Sequence, residues 1–139
     1  MRIFKPVDIA GSGLTAHRAM LDVISENLAN ANTTRTSEGG PYQRKIPVFE
    51  ERLVEAEGGR LEASGVAVKE IAADDAPPRM VYEPGHPDAD EEGYVAYPNV
   101  SVIREMADMM AASRAYEANL EVVKSAKSMW EAATELLRS

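Results

Sequence analysis

Five residues within seven positions, His86, Asp88, Asp90, Glu91 and Glu92, form the densest set of chemistry-bearing side chains in the chain. An imidazole among carboxylates can hold a divalent cation or accept a proton. The spacing follows neither the ligand order of an EF-hand loop nor HExxH, and the EPGHP run that contains His86 reads as a turn. A solvated acidic loop without a resident metal is expected there. The other histidine, His17, falls on an apolar helical face, which points to a buried or interface imidazole rather than a catalytic one. Asp22 and Glu26, like charges four apart, point outward to solvent or a partner.

Nucleophilic chemistry finds no support either. No serine stands in GxSxG or beside a recognisable base and orienter. The glycines at 11, 13, 39, 40, 58 and 59 build neither GxGxxG nor a P-loop. The chain has no cysteine, which removes thiolates and disulfides and leaves only histidines and carboxylates for zinc. No catalytic residue, metal ligand or cofactor is therefore assigned. The triplets Asn32-Thr33-Thr34 and Asn99-Val100-Ser101 fit the glycosylation pattern, but so short a motif recurs by chance.

What remains is SENLANANTTRT, Ser25 to Thr36. Asn27 and Asn30 lie three apart on one helix face, and Asn32 falls past the last full turn. An asparagine amide can bond carbonyls at a helix end or across a helical interface, so this stretch is expected to set where helix becomes loop and to fix a register.

The elements on either side of it carry the apolar surface. Leu14, His17, Leu21, Ile24, Leu28 and Ala31 recur at steps of three and four, and Ile3, Val7 and Ala10 continue the rhythm backwards. Gly11, Ser12 and Gly13 weaken the intervening turn, at about 1 kcal/mol per glycine relative to alanine. The helix is thus expected to start properly near Leu14, with Ser12 as a cap, unless the small residues serve the close approach of a neighbouring backbone. Near the other terminus Met109, Tyr116, Val123, Trp130 and Leu137 recur every seven residues, flanked by Met106, Ala112, Leu120, Ala126 and Ala133, and neither proline nor glycine interrupts residues 101–139. A helix from Ile103 to Leu137 would be roughly 52 Å long, and the matching stripe in the chain is the N-terminal one. Heptad spacing favours coiled-coil-like pairing. Ser113, Lys127 and Thr134 make the companion positions too polar for a simple two-helix rope, while the many alanines offer narrow surfaces to several neighbours.

The middle is different in kind. Short β-branched or aromatic runs at Arg44 to Phe49, Val66 to Ile71, Arg79 to Tyr82 and Tyr94 to Tyr97 alternate with turns at Gly39-Gly40, Glu57 to Gly59, Ala76 to Pro78 and Glu83 to Pro87. The predicted class is α+β: long N- and C-terminal helices pairing in a coiled-coil-like bundle, with a small hairpin-rich insert between. Three segments follow, 1–35, 36–99 and 100–139. Their net charges are +1, −8 and −1. An acidic middle without a basic stripe argues against nucleic acid, and nearly neutral ends permit close packing of copies. No run of eighteen apolar residues exists to span a membrane, and no conventional cleavable signal is visible.

The residues Ser25, Asn27, Leu28, Ala29, Asn30 and Thr33 resemble S-x-N-(I/L)-A-N-x-x-T, the N-terminal signature of the bacterial flagellar axial proteins, the rod, hook and hook-associated group. The continuation Thr34-Arg35-Thr36, then Gly39-Gly40-Pro41-Tyr42, and the stretches GHPDADEEGYVAYPNV (Gly85 to Val100) and EMADMMAASRAYEANLEV (Glu105 to Val122) are similar to the rod branch of that family. Ser101 stands where the family shows asparagine and is expected to cap the last helix. The resemblance implies a structural subunit of the basal-body rod, a hollow shaft across the periplasm that transmits torque and lets exported subunits pass. It implies export through the flagellar type III apparatus, partners that are copies of the chain and other rod proteins, and terminal helices that order on assembly. The surfaces expected to do this are Leu14, Leu21, Ile24, Asn27, Leu28 and Asn30 on the first helix and Met109, Tyr116, Leu120, Val123, Trp130 and Leu137 on the last. Two other classes stay open: a stand-alone helical adaptor with a closed core, and a metal-dependent enzyme at His86.

Overall fold

A computed structural model describes residues 5–55 and 59–138 of the chain. Ile3, placed above in the helical rhythm, and the Glu57-Gly58 part of the second turn lie outside the described residues. The order of elements is α1 (Lys5–Ala29), β1 (Lys45–Glu55), β2 (Leu61–Ala73), β3 (Arg79–Tyr82), β4 (Tyr94–Tyr97) and α2 (Val102–Leu136). The α+β class is thus as expected: two helices, with two small antiparallel sheets between them in sequence.

The helix α1 does not wait for Leu14. It runs unbroken from Lys5 through both glycines, because tertiary contacts outweigh their poor propensity. A Cβ on Gly13 would come within 2.7 Å of the Asn119 amide of α2. Nor does Ser12 cap; its hydroxyl donates to the Ile9 carbonyl at 2.7 Å and accepts the Val66 N–H of β2 at 3.1 Å. Opposite it, Gly65 has φ +119, and a Cβ there would run into that hydroxyl. The small residues of α1 therefore let two elements approach at once.

The strands β1 and β2 pair from Lys45↔Ala73 to Glu55↔Leu61, with register shifts at Val48/Phe49 and Glu51/Leu53. Both strands are longer than their most β-prone cores suggest, since pairing extends into the charged tip of the hairpin. Its base and middle lie along α1. Lys5 reaches Glu62 near the tip at 2.7 Å. The second hairpin, β3 and β4, has the bounds expected from sequence and pairs Arg79↔Tyr97 to Tyr82↔Tyr94, with Val95 fully enclosed.

The helix α2 is 35 residues long, roughly 52 Å, against 25 residues and roughly 38 Å for α1. The two run antiparallel, Asn27 of α1 meeting Glu105 of α2 and Gly13 meeting Asn119. Ser101 is the N-cap residue, yet its side chain makes no capping hydrogen bond, contrary to expectation. The Ser101 carbonyl instead accepts the Glu105 N–H.

The apolar core is thin: Ala10, Ala16, Val23, Ile24, Ala31, Tyr42, Val95 and Ala112 are its buried members. The accessible surface is 9944 Å², whereas a compact monomer of this mass exposes about 7,100 Å².

Candidate functional site

Asn27 lies two residues before the last of α1, where the chain must turn back towards β1. Its side chain is 1 % exposed. The amide donates to the Lys45 carbonyl at 2.9 Å and to Glu105 Oε2 at 3.1 Å. Its oxygen accepts the Lys45 N–H at 2.8 Å and the Tyr42 hydroxyl at 2.9 Å. Both donors and both acceptor sites of the amide are used. Toward Lys45 the side chain imitates a strand, bonding N–H and C=O of one residue.

The hub spreads from there. Glu105, on the first turn of α2, is completely buried, and Arg44 Nε meets its other oxygen at 2.6 Å. Arg44 also reaches Asp74 at 3.4 Å and Asp108 at 3.9 Å, and its backbone N–H donates to Asn99 Oδ1 at 3.0 Å. Asn99 donates in turn to the carbonyls of Asp74 and Ala76. Two asparagines thus bracket Arg44 and Lys45, so the end of α1, the start of β1, the end of β2 and the start of α2 share one network. A buried carboxylate is tolerable only with such partners. Burial pulls the Arg44 guanidinium down, but hydrogen bonds and charge from Glu105 and Asp74 outweigh it and leave the pKa raised. Burial, with the charges of Glu26 and Glu105 added, pushes the Tyr42 hydroxyl up to about 12.

The rest of the signature finishes the helix. Asn30 donates to the Glu26 carbonyl at 2.9 Å and accepts the Thr33 hydroxyl at 3.2 Å, and the Thr33 carbonyl accepts the Tyr42 N–H. Ser25 is exposed and bonds back to the Leu21 carbonyl; Ala29 is exposed and Leu28 half-buried. Glu26, read above as outward, pairs with Lys45 at 2.5 Å. Beyond the helix, Thr34 and Arg35 both engage Asp88. Thr34's hydrogen bond, followed by the charges of Arg35 and His86, holds that carboxyl below its usual range.

Of the acidic loop, His86 Nδ1 accepts the Asp88 N–H at 3.0 Å and Asp90 accepts the Glu92 and Tyr94 N–H groups. These side chains brace a turn, and among the described residues no three metal-ligating groups converge. His17 is half-buried, its Nδ1 enclosed without a hydrogen-bond partner.

On the helical surfaces, Ile24 is buried, and Leu14, Leu21, Met109, Tyr116, Leu120 and Val123 are half-buried. Trp130 is 46 % and Leu137 87 % exposed, and Trp130 lines a groove together with Pro6. Sequence reasoning singled out Asn27 but not Tyr42, Lys45 and Glu105, which it bonds, nor Arg44 and Asn99, which extend the network. One signal was present: stepping the series Ala133, Ala126, Asn119, Ala112 back by seven reaches Glu105, a carboxylate at the head of a row of three alanines and one asparagine.

Known proteins match this sequence over nearly its whole length. A family model described as "Flagella basal body rod protein" matches residues 8–35, which hold most of α1 and the signature. Another, "Flagellar basal body rod FlgEFG protein C-terminal", matches residues 91–136, from the acidic loop to the end of α2. The flagellar basal-body rod protein FlgC of Borreliella burgdorferi is 42 % identical, covering 99 % of both chains. That of Escherichia coli O6:H1 is 46 % identical over 93 % of both, and that of Bacillus subtilis 36 % identical over 98 % of this chain and 99 % of its own. With identities of this size over nearly the whole chain, the chain belongs to the FlgC family of flagellar basal-body rod proteins.

Proposed function

We propose that this structural rod subunit polymerises through segments 1–35 and 100–139 into the proximal part of the shaft, keeping segment 36–99 on the outside. Its role is mechanical rather than catalytic. Its partners are copies of itself and other rod proteins, and it reaches the rod through the flagellar type III apparatus. One observation carries the reading: large apolar side chains of α2 between Val122 and Leu137, Met129 and Leu137 among them, stay exposed. The surface beyond that of a compact monomer amounts to about 2,800 Å², more than the 1,200–2,000 Å² of a standard interface.

The stand-alone adaptor shares one feature with this chain, the pairing of α1 with α2, but its closed core would leave no such excess. Far-ultraviolet circular dichroism and light scattering on the same samples separate the two. Mass and helicity rising together with concentration are expected of a rod subunit. A monomer of full helicity at every concentration would put the adaptor first.

A further inference from the structure

Two exposed apolar faces lie at the hub end of the molecule, and each is rimmed by charges of one sign. The first is on α2. Ile103, Met106 and Met110 stand at steps of three and four, on the side roughly opposite Glu105 and Ala112, and all three are exposed. Arg104 beside them and Arg114 one turn further on are exposed and, among the described residues, belong to no ion pair. Glu105 is level with Asn27 and Asn119 with Gly13. Met110 is therefore about level with Asp22, roughly 25 Å along α1 from Lys5. The four residues before Lys5 span at most about 14 Å, and the β1–β2 tip lies beside Lys5 too, so this face stays open to a second molecule.

The second face is on the β3–β4 hairpin, which Thr34 and Arg35 hold to the same end of α1 through Asp88. Val95 pairs with Val81 and is enclosed, so Met80, Tyr82 and Tyr94, at the alternate positions, point away from the molecule, and all three are exposed. The two rings meet edge to face with centroids 5.3 Å apart. Tyr82 also lies against Gly93, where a Cβ would come within 2.9 Å of the ring. Rings ordered in advance lose little freedom when they are covered. Glu91 and Glu92, just before Tyr94, are exposed and, among the described residues, stand in no ion pair.

The two faces complement each other. One is apolar with a cationic rim, the other aromatic with an anionic one, and a guanidinium is also attracted to the face of a tyrosine ring. The acidic excess of the chain lies in residues 36–99, which puts the counterpart of the cationic face on the chain itself. Both faces are exposed in one and the same fold, so a single copy does not join them. We propose that the Ile103, Met106 and Met110 face of one copy docks on the Met80, Tyr82 and Tyr94 face of a second copy, with Arg104 and Arg114 meeting Glu91 and Glu92. Contact between unlike faces leaves each added copy with one of each free, and so extends without closing. Resting on the rod-subunit reading, this contact supplies one of its interfaces.

The test uses full-length chains and light scattering. Wild-type mass should grow with concentration. R104E with R114E, and separately E91K with E92K, should each raise the concentration needed for association about tenfold, whereas all four changes in one chain should bring it back to within about threefold of wild type. The four side chains are exposed, and circular dichroism checks that each variant keeps the wild-type fold. A second measurement does not depend on those charges. The chain is cysteine-free, so M106C chains mixed with M80C chains should be joined by a short bis-maleimide into mixed dimers, and a chain carrying both cysteines should give a ladder. A fourfold variant that associates no better than the twofold ones, or a wild-type-like polymer without links between positions 106 and 80, overturns the proposal and leaves the rod reading standing. A link between the two cysteines within a monomer overturns it by showing that one copy joins its own faces. A wild-type chain that stays monomeric at every concentration overturns both.

Discussion

Asn27 saturates all its hydrogen-bonding sites, so its loss should be felt well beyond one contact. Asn27→Ala strips partners from Lys45, Tyr42 and Glu105 together and is expected to cost about 2–4 kcal/mol, against about 1 kcal/mol for Asn30→Ala at the exposed helix end. Urea unfolding of both variants checks the difference; equal costs would demote Asn27 to an ordinary terminus residue. Arg44→Met leaves Glu105 buried without its cation and should cost about 3–5 kcal/mol, most of it recovered by adding Glu105→Leu. A double variant as unstable as the single one would contradict the pairing as the source of the cost. Tyr42 supplies a pH readout. Its folded pKa is raised from 10.0 to about 12, so the contribution is fully present below pH 10 and lost as pH climbs through about 12. Ultraviolet titration of wild type minus Tyr42→Phe should show that late midpoint, and a midpoint near 10 would mean an open hub.

Among the elements, α1 teaches how far local propensity carries. Gly11 and Gly13 look alike in sequence, and both argue for a late helix start. The structure separates them: nothing lies within 4 Å of a Cβ built on Gly11, whereas Gly13 faces Asn119. Gly11→Ala is therefore expected to stabilise by up to about 1 kcal/mol. Gly65→Ala should destabilise by about 1–3 kcal/mol, since it combines a strained positive φ with displacement of the Ser12 hydroxyl from the Val66 N–H. Thermal unfolding of the two variants should shift in opposite directions; a neutral Gly65→Ala would mean the hairpin is not hooked to α1 there. The strands β3 and β4 were legible to the residue because their aromatic and β-branched runs end at strong turn formers. The strands β1 and β2 were underestimated because their outer halves are charged, and cross-strand pairing rather than composition holds them.

For the whole molecule, excess surface decides behaviour. A thin core rich in alanine and exposed apolar side chains near the end of α2 mean that association offers further burial. Trp130→Ala should then weaken assembly by roughly 3–5 kcal/mol if the indole becomes fully buried between copies, read as a rise in the association concentration by light scattering. Leu137→Ala, at a site 87 % exposed, should leave the stability of the single chain within about 0.5 kcal/mol while also weakening assembly. Unchanged association in both variants would remove the end of α2 from the interface.

Period, punctuation and charge segregation sufficed to determine two terminal helices, an acidic hairpin-rich middle, the absence of recognisable catalytic motifs and the signature at Ser25 to Thr33. All of these are local or periodic properties, written in neighbouring residues. Which residues Asn27 would bond, that Glu105 would be enclosed, and that Ser12 and Gly65 would bring β2 onto α1 were decided only in three dimensions. Those contacts join residues 15 to 78 positions apart. A polar side chain's partner depends on which backbone arrives beside it, and no spacing along the chain states that.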